Sequence, residues 1–509
     1  MTNSYVDSAD SAESSLYSER RNIKKSLKGV HSIFFILAGM IALETLGQVS
    51  VFGAETLTWI LIIAVLFVIP YGLIVSELGS AYPYEGGPYP WMRRAWGKTV
   101  AGLGVVIYWV ATPVWVGGSL CFAAAAAFSS FFVPMAQGSA ADWSFKLTFI
   151  VATVSIAIVS LRKAKWIPTI GAVIRIAALA VFSVSLVLYA LQHGLHGAHF
   201  GAFAPTIGTL FGLAPILLFS FQGFELPSTA AEEMENPERD VPRSVGIATI
   251  VVALAYAIPV FGIVTVLPTE SITGISGFLD AIAATFSVFG PAAGFLTKLA
   301  AAGFILGLLT TGGSWLMGVD RTYAVAALDG AAPRFLGKFS PRFGTPVRVN
   351  VMSGILAVAL LAAAQFLTAG RTADTFALVL YLATSAGIMS YLVVLSAGLR
   401  LRFIDPDRRR PYRVPGGNRG MAIATVLCLF WVALGTWSGL FPGTLEALFG
   451  IHYSVQETFG VSRMEFEVFT LGTLGVMVAI AILSVWLSRN QEGSTHHTER
   501  TELSHVLDS

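Results

Sequence analysis

Glu225 interrupts an apolar run that begins near Ile207, with Gly223 before it and Pro227 after it, in the stretch LLFSFQGFELPSTAAEEMENPERDVPR (Leu217–Arg243). A carboxylate at membrane depth is costly unless something neutralises it, which makes it a functional-site candidate. Gly and Pro loosen the helix around it. A broken helix is tolerated in a bilayer only where it lines a cavity or is buried in protein, and secondary transporters build substrate sites from such breaks. Glu44, near the centre of GMIALETLGQVSVFG, is a second acid in apolar surroundings, and Arg175 lies inside IGAVIRIAALAVF. Two readings of Glu44 are open: it attracts an ammonium group or carries a proton, or it is neutralised by a buried arginine or by keeping its own proton. Arginine effectively never deprotonates, so Arg175 is a fixed cation that disfavours sodium nearby. Any proton coupling then falls to Glu44 or Glu225. The plain reading of Arg175 is an ion pair with Glu44.

The elements that must position these residues follow from composition. The chain has 509 residues, 55% hydrophobic and 12% charged, against about 25% charged in soluble domains. A span needs roughly 20 apolar residues. On that criterion the sequence predicts an all-α polytopic membrane protein with twelve transmembrane helices, near 30–53, 56–80, 101–131, 144–161, 166–191, 207–229, 244–267, 286–318, 349–369, 373–399, 421–441 and 466–488. With both termini cytoplasmic, Lys and Arg gather on one side: Lys24, Lys25 and Lys28 in the tail, Arg93 and Arg94, Arg162 and Lys163, Arg239 and Arg243, Arg334 and Arg342, and the Arg400–Arg419 loop. The outer side holds chiefly Arg371 and Arg463, the asymmetry that the positive-inside rule requires. The first 28 residues carry Asp7, Asp10 and Glu13 and read as a cytoplasmic tail rather than a signal peptide.

Cys121 and Cys428 fall in apolar spans, which argues against a disulfide framework or a metal motif. His193, His196 and His199 share one loop, where a solvated Gly-rich segment is the simpler account than zinc. No GxxxxGK[ST] occurs, so ATP-driven pumping is disfavoured, and no cofactor or nucleic-acid partner is expected.

Three segments in order carry a resemblance: ELGSAYPYEGGPYPWMRRAWG (Glu77–Gly97), FSFQGFELPSTAAEEMENPERDVP (Phe219–Pro242) and DRTYAVAALDGAAPRFLGKFSPRFGTP (Asp320–Pro346). The chain resembles the amino acid–polyamine–organocation permeases, from about Gly29 to the Arg-rich loop. The resemblance implies a LeuT-like 5+5 inverted repeat with spans 1–5 in residues 29–191 and spans 6–10 in 207–400. A basic cytoplasmic loop (401–420), spans 11–12 (421–488) and a cytoplasmic tail (489–509) would follow the N-terminal tail (1–28) and the two repeats. It also implies a substrate site between the unwound centres of spans 1 and 6. Relatives that carry amino acids often have Gly-Ser-Gly in span 1. Here Leu43-Glu44-Thr45 stands near that place, flanked by Gly39 and Gly47, and an acid there suits an ammonium better than a carboxylate.

Carried over by position, Phe219 matches the aromatic that closes over substrate, able to hold an ammonium by cation–π attraction, with ordinary packing as the plainer role. Gln222 and Gly223 mark the unwound stretch, and Trp315 and Ser385 are weaker wall candidates. Glu225 stands where the family is often acidic, fitting gating, proton coupling or a structural hydrogen bond to span 1 or 3. Many relatives place a lysine at Arg175. The Glu85–Pro88 turn, Arg334 and Arg342 read as structure, lipid anchoring or inner-gate contacts. Thr310, Thr311 and Ser314 either hydrate the pathway or bond to carbonyls one turn back.

The expected function is a plasma-membrane secondary transporter, not an enzyme, moving amino acids or related amines and polyamines by alternating access, proton-coupled or by exchange. Its partners are that small molecule and the bilayer. A substrate-gated channel or a membrane sensor is the competing class, but no span repeats a filter signature.

Overall fold

Apolar runs buried in lipid must satisfy their backbone internally, and helices do so within one segment. The computed structural model describes residue 25 and residues 27–159, 166–195, 200–367 and 372–507, and it is helical in every long apolar run. In chain order the helices are α1 (Gly29–Met40), α2 (Leu43–Ser50), α3 (Glu55–Ala81), α4 (Pro88–Trp96), α5 (Lys98–Phe131), α6 (Ala140–Ile158), α7 (Trp166–His193) and α8 (Ile207–Ser220). They continue as α9 (Pro237–Val266), α10 (Gly277–Phe286), α11 (Ala293–Leu328), α12 (Val347–Leu367), α13 (Thr372–Ile404), α14 (Gly417–Leu440), α15 (Thr444–Leu448), α16 (Val455–Phe459) and α17 (Arg463–Leu507).

Among the described residues ten helices are long and apolar enough to cross a membrane, or eleven when α1 and α2, bent by 42°, count as one span. Within the expected span over 207–229 the helix breaks, as Gly223 and Pro227 suggest. α8 stops at Ser220, well short of the roughly 20 residues a crossing needs. The chain then unwinds through Gly223, whose φ of 129° suits glycine alone, and resumes as a 3-10 turn over Leu226–Glu233. The eighth expected span also shifts. Gly290 and Pro291 hold residues 287–292 in a separate 3-10 turn, so the long helix starts at Ala293. It runs on to Leu328 through Asp320 and Arg321, read from sequence as the start of a loop motif, because both side chains find buried partners.

Packing sorts the helices around the two breaks. α9 lies against α1 and α3, α11 against α5, α6 and α7, and α13 against α5 and α14. α5 contains a π turn at Val116–Leu120, following Pro113 inside the helix. There Gly117 meets α12 so closely that a Cβ would lie 2.0 Å from the Ala357 carbonyl oxygen. Val151, Ile250, Ile355, Val426 and Ile482 are exposed outward, as a lipid-facing belt requires. The arginine-rich loop after α13 is tied down rather than free. Glu77, at the end of α3, accepts from Arg402 and from the Val414 amide (2.7 Å), with Arg410 at 3.3 Å.

Candidate functional site

The break in span 1 falls at Ile41–Ala42, where no glycine or proline weakens the helix, so its freed backbone groups need outside partners. Tyr256, from α9, supplies them: its hydroxyl takes a hydrogen bond from the Ala42 amide (3.2 Å) and donates to the Met40 carbonyl (3.1 Å). Arg175, from α7, donates to the Ala38 carbonyl (2.7 Å), to the Gly307 carbonyl and to Thr310 Oγ1 (2.9 Å). The Arg175–Glu44 ion pair considered from sequence is therefore absent. Arg175 is spent on carbonyls of α1 and α11, and Glu44, 1% exposed, has no hydrogen-bond partner for either carboxylate oxygen.

The break after α8 is closed in a parallel way. Tyr71, from α3, accepts from the Gly223 amide (3.0 Å) and the Phe224 amide (3.1 Å) and donates to Glu225. Tyr108 of α5 (3.0 Å) and Tyr391 of α13 donate to the same carboxylate. Glu225 is thus bonded to spans 2, 3 and 10, fully buried and without a basic partner among the described residues.

Next to Glu225, on the side of the Tyr108 and Tyr391 rings, lies a small cavity. α5 contributes Tyr108, Thr112 and Trp115 to its wall, the end of α8 Phe219 and Gln222, α11 Trp315, and α13 Gly387 and Tyr391. The rings form a box: Trp115 meets Phe219 edge-on at 5.4 Å and Trp315 at 6.4 Å, and Tyr108 stands 6.3 Å from Tyr391. Trp315 is fixed by its indole N–H on the Gly39 carbonyl at 3.0 Å. The Trp115 Nε1 and Gln222 Nε2 donors are buried without partners. Glu44 is not a wall residue, but Trp115, which is, stands beside it.

The structure thus gathers Phe219, Gln222 and Trp315 as the sequence suggested, with Gly223 at the turn. It places Thr45, Gly47 and Ser385 elsewhere. Thr45 accepts from Ser220 (3.0 Å), stitching the two breaks together. Gly47 packs under the Gly274 carbonyl, 2.5 Å from where a Cβ would sit, and Ser385 donates to the Tyr381 carbonyl at 2.8 Å. Thr310, Thr311 and Ser314 each bond to a carbonyl one turn back. The α5 wall was missed, although VVIYWVATPVWVGG sets polar, Pro and Gly residues in an apolar helix.

A second, lower space, also small, is bounded by Phe35, Thr229, Met317, Arg321 and Thr345. Arg321, rather than Arg334 or Arg342, closes it by pairing with Glu85 (2.9 Å) and Glu233 (2.7 Å). Burial pushes the Glu85 carboxyl, in the loop after α3, up to about 8; Arg321 opposes this, and the neighbouring Glu233 and Glu232 add to it. No metal-ligating cluster occurs among the described residues. His193 stacks on Tyr189 at 4.5 Å, while His196 and His199 lie outside the described residues.

Residues 27–460 match the family described as amino acid permease. The chain is 30% identical over 401 residues to a probable agmatine/putrescine antiporter of Lactococcus lactis, covering 78% of this chain and 84% of that protein. It is 24% identical over 446 residues to a branched-chain amino acid permease of Bacillus subtilis, covering 84% and 90%. Among solved structures it is similar to the manganese transporter of Eremococcus coleocola, with a TM-score of 0.59 at 12% identity, covering 92% of this chain and 99% of that one. At that identity the likeness speaks to the fold alone.

Proposed function

This chain belongs to the amino acid permease family, which makes it a multi-pass membrane transporter and not an enzyme, and we propose that it moves an amine-bearing small molecule across the plasma membrane by alternating access. The cargo class is amino acids or related amines and polyamines, carried in a proton-coupled or exchange mode. In this reading α8 and the turn after it complete a twelfth crossing in two pieces. Residues 29–191 and 207–400 form the inverted repeats, 421–488 the two appended spans, and both tails (1–28 and 489–509) and the 401–420 loop face the cytoplasm.

One observation supports the reading above the rest: in an aromatic box the Trp115 and Gln222 N–H donors stay buried without a well-formed hydrogen bond, and the buried Glu44 carboxylate beside Trp115 pairs with no cation among the described residues. Buried polar groups are ordinarily satisfied, and such orphans mark where a ligand's own groups belong. Glu44 would attract an ammonium, the rings would hold it by cation–π contact, and the donors would meet a carboxylate or further polar end. Glu225, held by three phenols beneath the box, would gate the way inward, and Arg175 would keep α1 and α11 joined without carrying a proton.

Ligand-induced thermal shifts, followed by counterflow in liposomes, test this across zwitterionic amino acids, putrescine, agmatine and dicarboxylates. A ligand that binds only the folded state stabilises it by mass action. Amine-bearing compounds should stabilise the protein and show saturable counterflow. Stabilisation by dicarboxylates alone would overturn the amine assignment. Phe219→Ala should weaken transport by roughly tenfold, the scale of a lost cation–π contact, with the same amount of folded protein recovered. Loss of the protein itself would assign Phe219 to packing.

A further inference from the structure

Asp320 is wholly buried in α11, away from the aromatic box, and no function discussed so far uses it. Its oxygens accept from Trp109 Nε1 (2.8 Å) and Ser353 Oγ (2.6 Å) on one side and from Asn350 Nδ2 (2.6 Å) on the other. These partners come from α5 and α12, and all are neutral. Arg321, next along the chain, is turned to Glu85 and Glu233, and Tyr323 stacks on Trp109 at 4.7 Å with its hydroxyl on Ser484. No cation pairs with Asp320 among the described residues. A carboxylate so placed is expensive to keep ionised, and an ionisable group inside a membrane span is by default a functional-site candidate.

Asn350 has the donor and the acceptor to serve Asp320 in either protonation state. With the acid ionised, the amide nitrogen donates to it, as observed, and Asn350 Oδ1 is left buried without a donor. With a proton on Asp320, half a turn of the amide would let the acid O–H donate to that oxygen. The network adjoins both ends of the pathway along the chain. Tyr108 and Trp109 are consecutive on α5, one donating to Glu225 and the other to Asp320, and Asp320 directly precedes the arginine that closes the lower space.

Resting on the transporter reading above, we propose that Asp320 is a proton-binding site of this protein, separate from the cargo cavity, which takes up and releases one proton in each cycle. The step is a plain transfer. A hydronium gives up H⁺ and becomes water, the proton binds a carboxylate oxygen of Asp320, the acid O–H turns to Asn350, and release reverses these steps. Its neighbours set how the change is felt: Trp109 would slacken toward Glu225's side of α5, and Arg321 would shift its hold on Glu85 and Glu233.

Two measurements on the full chain in liposomes test this independently. Infrared difference spectra between acidic and alkaline buffer should contain a carboxylic-acid carbonyl band that Asp320→Asn removes and Asn350→Leu shifts. This readout holds whether or not cargo moves, so it fails only if the proton site is wrong. With a cargo found by the screen, a gradient of one pH unit should drive accumulation in the wild type up to about tenfold for one proton. Asp320→Asn should lose that accumulation and keep counterflow. Absence of counterflow in the wild type would instead refute the transporter reading. Should Asp320→Asn fail to fold, Asn350→Leu must still move the pH midpoint of uptake. An unchanged infrared band in Asp320→Asn, retained gradient-driven accumulation, or a sodium requirement abolished by this change would each overturn the proposal.

Discussion

Glu44→Gln is expected to weaken binding of ammonium-bearing ligands by about 100-fold or more, while the protein stays folded and monodisperse. A hydrogen bond to a charged group contributes roughly 1.5–3 kcal/mol, and the Coulombic attraction lost with the charge adds to it. Folding should survive because neither carboxylate oxygen has a partner to lose, and Arg175 keeps its acceptors on Ala38, Gly307 and Thr310. Thermal-shift titration with a cationic and a zwitterionic ligand measures the effect, which should be larger for the cation. The competing role, neutralising Arg175 across a short gap, makes a different forecast: Glu44→Gln would destabilise the protein, and adding Arg175→Gln would restore both folding and binding. Restoration would end the ligand role of Glu44.

Tyr71→Phe should lower stability by about 3 kcal/mol, because two buried amides lose their acceptor at once and each unsatisfied group costs roughly 1–3 kcal/mol. Gly223 and Phe224 have no helical carbonyl to turn to, since the helix has already ended at Ser220. Tyr391→Phe is the matching comparison. It also removes a donor to Glu225 but leaves the amides satisfied, so its loss should be smaller, about 1.5 kcal/mol. Thermal melts of the purified proteins decide between them. Equal losses for the two would mean that the backbone break draws nothing from Tyr71.

The sequence exposed the charges and hid their partners. Glu44, Glu225 and Arg175 stood out because charge in an apolar run is rare, and Gly223 with Pro227 marked the second break through backbone chemistry that is local. The first break was harder to see. Ile41 and Ala42 are good helix formers, and the helix opens there because Tyr256 and Arg175, far away in the chain, satisfy what it gives up. Tyr71, Tyr108 and Tyr391 read as ordinary aromatic packing, since a phenol's partner is decided only by which helices meet. Asp320 was mistaken for a loop residue for the same reason. Its cost inside a span vanishes only once Trp109, Asn350 and Ser353 are beside it. The break after α8 was legible, but how short it leaves α8 was not.

The two tyrosine-held breaks also bear on how the chain is assembled as it leaves the ribosome. Tyr71 precedes the break it serves, so α3 is already in place when α8 emerges. Tyr256 follows its own break by more than 200 residues, with separations of 214 and 216 along the chain. Until α9 is inserted, the Ala42 amide and the Met40 carbonyl have only each other as partners at this break. The first half of the chain is then an unfinished object that waits on the second, and a fragment ending before Tyr256 would present an unsealed helix to quality-control proteases.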